Sequence, residues 1–270
     1  MIDTRKNIDQ IIRLAQFNEE KHTQISTNFV YGERKDIKVT VIITLYNYEK
    51  LIGRCMLSAA GQDMESFEII VVDDASTDSS VHVVSNLMDS MAIPIMLIRK
   101  SLNTGVAHSR NIGIIKARGD YVFTLDADNY LATECIKKLY QTISKKKAAA
   151  AFCTIEQVNE NNETIGFVSN RPYRLKKLLS GTFYIDAMAM FDLSVLMEVG
   201  MYSTELLKHG IGWEDFELWV RLGIAGHRIV HLDEKLAYYY VHDRSMLSET
   251  RLYHDSLKLF LNQRYGTKIR

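Results

Sequence analysis

The chain has 270 residues, with 33 Lys and Arg against 33 Asp and Glu, so its formal net charge is zero. Hydrophobic residues make up 47% and charged residues 24%, which is typical of a soluble globular protein and excludes predominant disorder. The balanced charge excludes a general polyanion binder, since such binding draws on a basic excess, and we expect no nucleic acid partner.

Compartment is predicted from the apolar runs, the first residues and the cysteines. No apolar run approaches the roughly 20 residues of a membrane span, and MIDTRKNIDQ has no apolar signal-peptide core. Three widely spaced cysteines without a CxxC pair indicate free thiols in a reducing compartment. We expect a cytoplasmic protein, with the inner face of the membrane as an open alternative.

Residues 1–36 stand apart as a predicted N-terminal helical extension. Four apolar residues have helical spacing: Ile8, Ile11, Ile12 and Ala15. They predict an amphipathic helix up to about Lys21, followed by a polar stretch from His22 to Asp36 that leads into the body. The helix either packs on the main domain or docks a partner or a second copy of the chain.

From residue 38 onwards, short β-branched runs alternate with amphipathic segments. Strands are predicted at Val39–Leu45, Phe67–Val72, Ile93–Ile98 and Tyr121–Leu125, and helices at Glu49–Gly61, Asp78–Met91 and Thr104–Ala117. Continuous apolar strands separated by helices predict an α/β fold with a mostly parallel central sheet and helices on both faces. In such sheets, ligands bind beyond the carboxyl ends of the strands.

After residue 130 the alternation is less regular. Helices are predicted at Leu131–Lys145, Trp213–Ile224 and Glu249–Arg264, and strands at Ala148–Ile155, Thr164–Val168, Ala187–Phe191, Arg228–Leu232 and Leu236–His242. A basic loop contains Arg171, Arg174, Lys176 and Lys177. We expect residues 37–130 and 131–248 to be two halves of one domain sharing a sheet, followed by a C-terminal helix in 249–270.

Polar residues cluster where the predicted strands end. Strand one ends in Thr44, Tyr46 and Asn47. Strand two ends in Asp73 and Asp74, and strand four ends in Asp126, Ala127 and Asp128. The turn after strand one contains no glycine, which excludes a dinucleotide fingerprint and a Walker A loop there. Phosphates of a nucleotide would need another partner than a backbone cradle.

The acidic pairs suggest that partner, although each pair also has a purely structural explanation. Asp126 and Asp128 form an Asp-x-Asp sequence that suits a hard divalent cation bridging to phosphates, or turn and N-cap chemistry alone. Asp73 and Asp74 repel each other unless something binds, and a nucleobase N–H donor is a plausible partner for one of them. Tyr46 either stacks beneath a nucleobase or covers part of the hydrophobic core at the edge of the sheet.

Two further residues are candidates for chemistry. Asp215 begins a predicted helix between Trp213 and Trp219, where it acts either as a helix cap or as a general base in an apolar wall that tunes its pKa. His242 ends a Tyr-rich strand, where it is a surface residue or, with a metal at the rim, a ligand of that metal.

Five motifs in order resemble one family. They are Val41–Asn47, Val71–Asp78, Asn103–Ala107 with Arg110–Gly113, Gly119–Asn129 and Trp213–Asp215. Over about residues 38–245 the chain is identified as a member of the family 2 glycosyltransferases, which have the GT-A fold. Thr44 stands where many members have proline, and this departure affects a detail of the site rather than the class of protein.

The resemblance implies an inverting transfer of a sugar from a nucleotide-diphosphate donor, usually UDP-linked, to an acceptor hydroxyl. It implies a divalent cofactor, Mn²⁺ or Mg²⁺, bound by Asp128 with Asp126 and His242. Asp215 would be the catalytic base, with Glu214 near the acceptor. Residues implied around the donor are Thr44, Tyr46, Asn47, Asp74, Arg110, Asp126 and Ala127. The first half would bind the nucleotide sugar and the second the acceptor.

Two other classes of protein are alternatives to a glycosyltransferase. A sugar-nucleotide pyrophosphorylase would need a glycine-rich basic loop after strand one, which is missing. A catalytically silent scaffold module is the non-enzymatic alternative, although Asp128 and Asp215 are both present. The acceptor is expected to be a carbohydrate or a lipid-linked one, in surface polysaccharide or glycoconjugate synthesis. Peripheral membrane contact and homo-oligomerisation stay open, and the basic loop either favours an anionic acceptor or is simply solvated.

Overall fold

The computed structural model describes residues 12–208, 212–242 and 254–266. They include a ten-stranded sheet in the order β1-β4-β3-β2-β5-β9-β7-β10-β6, with β8 paired to β7. The strands are β1 (Thr23–Thr27), β2 (Val39–Leu45), β3 (Phe67–Asp73), β4 (Ile95–Lys100), β5 (Tyr121–Asp126), β6 (Tyr130–Leu131), β7 (Ala150–Val158), β8 (Thr164–Val168), β9 (Met190–Asp192) and β10 (Ile229–Tyr240).

Strands β4, β3, β2 and β5 form the parallel part of the sheet that the sequence predicts, and β7 pairs parallel with β10. Antiparallel pairings add β1 beside β4, β9 between β5 and β7, β8 beside β7 and β6 beside β10. Every residue of β2 and β3 is buried, which explains why these strands read as continuous apolar runs.

Helices cover both faces of the sheet, as expected. They are α1 (Glu19–His22), α2 (Ile52–Ala60), α3 (Ser80–Met88), α4 (Val106–Lys116), α5 (Cys135–Lys146), α6 (Leu175–Leu179), α7 (Leu193–Glu198), α8 (Glu205–Lys208), α9 (Glu214–Ile224) and α10 (His254–Tyr265). Apolar residues of α2, α3 and α5 form one core, and those of α4, α9 and α10 belong to a second. Within the described residues, no helix combines the length and apolarity that a bilayer crossing requires.

The N-terminal extension is not only helical, which corrects the prediction. Residues 12–16 and α1 are helical, but β1 then lies antiparallel to β4 within the stretch predicted as a polar lead. Asn28 anchors the end of β1, because its side-chain amide donates to the carbonyls of Met88, Met91 and Ile93 and accepts from the N–H of Ile95. Residues 1–11 lie outside the described residues.

Other predicted elements differ from the structure mainly in their bounds. The helix predicted from Leu131 begins at Cys135, because residues 130–131 pair with β10 as β6. The two strands predicted over 228–242 are one strand, β10, interrupted by register shifts rather than by a turn. The basic loop contains the short helix α6, and the C-terminal helix begins at His254, with residues 249–253 outside the described ranges.

Candidate active site

The carboxyl ends of β2, β3 and β5 lie side by side at one edge of the sheet. Thr44 of β2 lies opposite Val72 of β3 and opposite Asp126 of β5 in the strand register. Leu45 in turn lies opposite Asp73. The register therefore brings together the strand ends whose polar residues the sequence predicts to form one rim.

Arg110 connects this rim to the second half of the chain. It lies on α4 and is buried, with 3% of its surface exposed. One terminal nitrogen, Nη2, donates to Asp126 Oδ1 at 2.8 Å, and the other, Nη1, donates to Glu214 Oε1 at 2.5 Å. Burial disfavours its charge, but Asp126 and Glu214 outweigh that effect and raise the pKa of Arg110 well above its usual range.

Asp126 is held on one oxygen and open on the other. Its Oδ1 accepts from Arg110 and, at 3.1 Å, from the hydroxyl of Thr44. Its Oδ2 accepts no hydrogen bond from the described residues, and 28% of its side chain is exposed. A carboxylate fixed through one oxygen can present the other to a ligand hydroxyl or cation, which suits the predicted donor-binding role.

The two acids predicted as catalytic stand at the first turn of α9. Helix α9 begins at Glu214 after Trp213, whose backbone has the left-handed φ of 77° that bulky residues rarely adopt. The ring of Trp213 packs edge-on against Phe183 at 4.2 Å between centroids. Acids at this end of a helix are favoured by its dipole. The turn places Glu214 in the ion pair with Arg110 and leaves Asp215 out of it.

Asp215 is half-buried, and a negative charge on its carboxylate is unfavourable beside the charge of Glu214. Burial raises the pKa of Asp215 well above the usual aspartate range, and the nearby carboxylates of Glu214 and Asp186 raise it further. The backbone N–H of Phe216 donates to Asp215 Oδ1 at 2.7 Å and partly opposes this effect. A carboxylate with a raised pKa in an apolar wall has the properties of a general base.

Asp186 belongs to the same acidic centre, and the sequence analysis missed it. Burial and then the charge of Asp126 raise the pKa of Asp186 to about 7. Its Oδ1 accepts from the N–H of Met188 at 2.9 Å, and its own N–H donates to Ser169. The signal available was one acid shortly before the predicted strand Ala187–Phe191. Because β9 runs antiparallel to β5, residues preceding β9 lie at the edge where β5 ends.

Asp128 and His242, two of the residues that the family resemblance implies as metal ligands, are in direct contact. Asp128 Oδ2 lies 3.1 Å from His242 Nε2, and both side chains are largely buried. Within the described ranges, no three acidic, histidine or cysteine side chains form a metal-ready cluster, and Asp126 is tied to Arg110 instead. One carboxylate and one imidazole still fit a cation that draws its remaining ligands from substrate phosphates. The metal role of these residues stays a prediction.

His242 lies at the end of a stack of aromatic rings and one guanidinium group. Its ring stacks on Tyr240 with centroids 5.5 Å apart. The guanidinium of Arg54 lies 4.6 Å from the centre of the Tyr240 ring and 4.2 Å from that of Tyr130. Tyr130 stacks in turn on Tyr238 at 4.6 Å. These contacts restrict where the imidazole of His242 can lie.

Asp74, predicted near the nucleobase, is engaged in a buried network. Its Oδ1 accepts from Lys100 Nζ at 2.5 Å and from the N–H of Thr104 at 3.0 Å, and its Oδ2 accepts from the N–H of Gly105 at 2.9 Å. Gly105 has the φ of 91° that glycine adopts without strain, so Asp74 fixes the turn entering α4. Burial lowers the pKa of Lys100 despite this pairing. The nucleobase role of Asp74 stays a prediction.

The other predicted donor residues lie at the same edge. Asn47 joins two loops, since its side-chain oxygen accepts from the N–H of Thr77 at 2.7 Å and its own N–H donates to Ser76. Tyr46 is exposed by 42%, open to stacking. Ala127 is buried, and its N–H donates to the carbonyl of Thr44 at 3.2 Å. Their contacts with a donor also stay predictions.

With this geometry in place, comparison with known proteins assigns the family. Residues 40–200 match the model of glycosyl transferase family 2, which is more than half of the chain. The chain belongs to glycosyl transferase family 2. This confirms the resemblance that the five motifs carry.

Curated relatives in bacteria agree with the assignment. An uncharacterized glycosyltransferase of Haemophilus influenzae is 32% identical over 123 residues, which are 44% of this chain and 49% of that protein. The poly(ribitol-phosphate) beta-N-acetylglucosaminyltransferase TarS of Staphylococcus aureus is 26% identical over 211 residues, 77% of this chain and 36% of that protein. The chain thus spans half or less of the length of these relatives.

Solved structures confirm the GT-A fold. S. aureus TarS 1-349 in complex with UDP-GlcNAc aligns with a TM-score of 0.63 and 22% identity, over 78% of this chain and 61% of that one. The mannosyltransferase PcManGT of Pyrobaculum calidifontis in complex with GDP-Man and Mn²⁺ aligns with a TM-score of 0.63 and 20% identity, over 82% and 64%.

Proposed function

We propose that this chain is an inverting glycosyltransferase that moves a sugar from a nucleotide-diphosphate sugar to an acceptor hydroxyl. The observation that carries the proposal is the pairing of Arg110 with both Asp126 and Glu214. This pairing makes the end of β5 and the start of α9 parts of one charged network. A donor bound at the first and an acceptor deprotonated at the second would react within the same centre.

The donor is proposed to be UDP-linked. Thr44, Tyr46, Asn47, Asp74 and Ala127 would surround its nucleoside, and Arg110 would hold Asp126 toward it. The TarS complex with UDP-GlcNAc supports a uridine donor, while the PcManGT complex with GDP-Man makes guanosine the alternative to test. Both neighbours have the same fold, so the fold alone leaves the base open.

A divalent cation, Mn²⁺ or Mg²⁺, is proposed to bind with the donor at Asp128 and His242, beside Asp126. When bound, such a cation supplies charge neutralisation for the leaving diphosphate. The pairing of Asp128 with His242 at 3.1 Å supports this donor set, and the Mn²⁺ named with PcManGT supports the metal class. Within this chain, Arg54 and Tyr240 would keep the imidazole of His242 in place.

Asp215 is proposed as the general base and Glu214 as its neighbour at the acceptor. Asp215 would take the proton of the acceptor hydroxyl as the oxygen attacks the anomeric carbon opposite the diphosphate. One displacement inverts the configuration and needs no covalent sugar–enzyme intermediate. The raised pKa of Asp215 supports this role, because a stronger base removes the proton more readily.

The acceptor is proposed to be a carbohydrate or lipid-linked glycan in surface polysaccharide or glycoconjugate synthesis. The names of relatives such as the poly(ribitol-phosphate) transferase TarS and the chondroitin synthase of Pasteurella multocida support a polymer acceptor. The cytoplasmic location stays a prediction, and peripheral membrane contact and homo-oligomerisation stay open.

The test is calorimetric binding of UDP, GDP, CDP and dTDP, each with Mn²⁺ and with EDTA, followed by turnover with the matching sugar nucleotides. We expect metal-dependent binding of UDP, and we expect Asp215→Asn to bind UDP nearly as well while losing transfer. Unchanged turnover would remove Asp215 from the mechanism. Failure to bind any nucleotide would favour the catalytically silent scaffold.

A further inference from the structure

A cavity of about 220 Å³ opens beside the acidic centre, on the side of the second half of the chain. Its wall combines aromatic rings with amide, guanidinium and carboxylate groups. The lining residues that matter here are Asn170, Arg171, Phe183, Tyr184, Asp186 and Tyr239. Pockets that enclose drug-sized ligands measure roughly 300–1,000 Å³, so this space suits one sugar or polyol unit of a longer chain.

One end of the cavity belongs to the reaction centre. Asp186, which lines it, is close enough to Asp126, Asp128 and Asp215 for their charges to shift pKa values within the group. Phe183, also in the wall, packs against Trp213 at the start of α9. A ligand in this cavity would therefore reach the edge of the sheet where Asp215 stands.

The chain segment 169–184, which supplies part of the cavity wall, is positively charged, in contrast to the acidic centre. Residues 169–184 contain four cations and no acid: Arg171, Arg174, Lys176 and Lys177. No carboxylate of the described residues forms an ion pair with any of the four. Such a run of like charges is costly to keep together unless solvent or an anion neutralises it.

Of these four cations, Arg171 is the one that lines the cavity itself. Its guanidinium lies 5.7 Å from the centre of the Tyr184 ring, and its Nε–H donates to Asn170 Oδ1 at 3.2 Å. These two contacts restrain the side chain and leave its terminal nitrogens without a partner among the described residues. A planar guanidinium held in this way suits bidentate recognition of a phosphate or carboxylate.

We propose that this cavity is the acceptor subsite and that it selects an acceptor whose reactive hydroxyl lies next to an anionic group. The hydroxyl would lie at the Asp186 end and the phosphate or carboxylate at Arg171, since the acids of the centre repel an anion. The aromatic wall would pack on the apolar face of the sugar or polyol. This inference rests on the proposed function, and it adds that the acceptor is negatively charged close to its reactive hydroxyl.

The experiment measures binding of three oligomers of equal length to the protein loaded with UDP and Mn²⁺. The probes are a glycerol-phosphate oligomer, a uronate-containing hyaluronan oligomer and neutral chitotetraose. We expect the first or the second to bind about tenfold more tightly than the neutral oligomer, which corresponds to one charge-assisted contact. The stronger of the two identifies the anion as phosphate or carboxylate.

Arg171→Gln should remove most of that preference and leave UDP affinity unchanged. The matched control is Lys145→Gln, which removes the same charge from an exposed position in the last turn of α5 and should change neither affinity. Added NaCl should weaken only the charged oligomers.

Equal affinity for charged and neutral oligomers, including no measurable affinity for any, would overturn the inference. So would a preference that Arg171→Gln leaves intact. If UDP itself fails to bind under every metal condition, the proposed function fails instead, and the two failures are thereby distinguished.

Discussion

Arg110 and Glu214 are 104 residues apart in the chain, yet their side chains form a buried ion pair with 2.5 Å between Nη1 and Oε1. The same guanidinium holds Asp126 through its other terminal nitrogen. One side chain on α4 thus sets the position of an acid at the end of β5 relative to an acid at the start of α9. The relative placement of the proposed donor and acceptor groups depends on this residue.

Replacing Arg110 should therefore cost stability as well as activity. Arg110→Met leaves two carboxylates largely buried without their cation, and we expect a loss of about 3–5 kcal/mol in the free energy of unfolding. Combining it with Glu214→Gln should recover part of that loss, because one uncompensated charge is removed. Urea denaturation of the two single variants and the double variant measures this coupling. Strictly additive losses would mean that the pair does not interact as described.

Asp186 should make the folded state less stable as pH rises. Its pKa is raised to about 7 from an ordinary 3.8, so between these values the folded chain keeps a proton that the unfolded chain releases. The free energy of unfolding therefore falls as pH increases through this window. Asp186→Asn keeps an acceptor for the N–H of Met188 and should be more stable at pH 8, by on the order of 2 kcal/mol.

Urea unfolding of both proteins at pH 4.5 and pH 8 tests this prediction. The difference between them should be small at pH 4.5, where Asp186 is protonated in the folded chain. A variant that is equally stable, or less stable, at pH 8 would show that the ionised carboxylate is well accommodated.

Arg54 should act on metal-dependent binding through Tyr240 and His242. His242→Ala removes a proposed ligand, and we expect UDP affinity with Mn²⁺ to fall at least about tenfold. Arg54→Leu removes the cation that packs on Tyr240, and a smaller loss of about threefold should follow, with Arg54→Lys restoring part of it. Affinities in EDTA should be the same for all variants. A loss of equal size in EDTA would indicate a general disruption of the site.

Asn28 should contribute strongly to stability although it lies far from the site. It is buried by all but 4% of its surface, and its side chain makes hydrogen bonds with four backbone groups. Asn28→Ala removes all four hydrogen bonds, and the carbonyl of Met88 keeps a second one from the N–H of Met91. The loss should cost about 2–4 kcal/mol. The control Asn86→Ala, at an exposed position on α3, should stay within about 0.5 kcal/mol. Thermal unfolding of both variants decides whether β1 is anchored as described.

The strands that carry the proposed donor site could be predicted from the sequence almost to the residue. Val39–Leu45 is β2 as predicted, and Phe67–Val72 lacks only Asp73 of β3. Both strands are buried on both faces, which gives an uninterrupted apolar pattern. Because these strands are parallel, their polar ends had to meet at one edge, and that argument needs no knowledge of side-chain packing.

The elements that were missed depend on distant partners. Strand β1 has the sequence TQIST, which contains one apolar residue, and only its pairing with β4 makes it a strand. Asp186 precedes a three-residue strand whose direction the sequence does not reveal. The pairing of Arg110 with Glu214 spans the two halves of the chain, and no local pattern predicts such a contact.

Strand β1 also determines how the sheet ends. Without it, β4, most of whose residues are buried, would present a row of unpaired backbone N–H and C=O groups, the kind of edge on which another polypeptide can add a strand. Four of the five residues of β1 are exposed, and most are polar. At this end of the described sheet the outermost strand is thus short and well hydrated, which is one of the ways in which natural sheets limit edge-to-edge association.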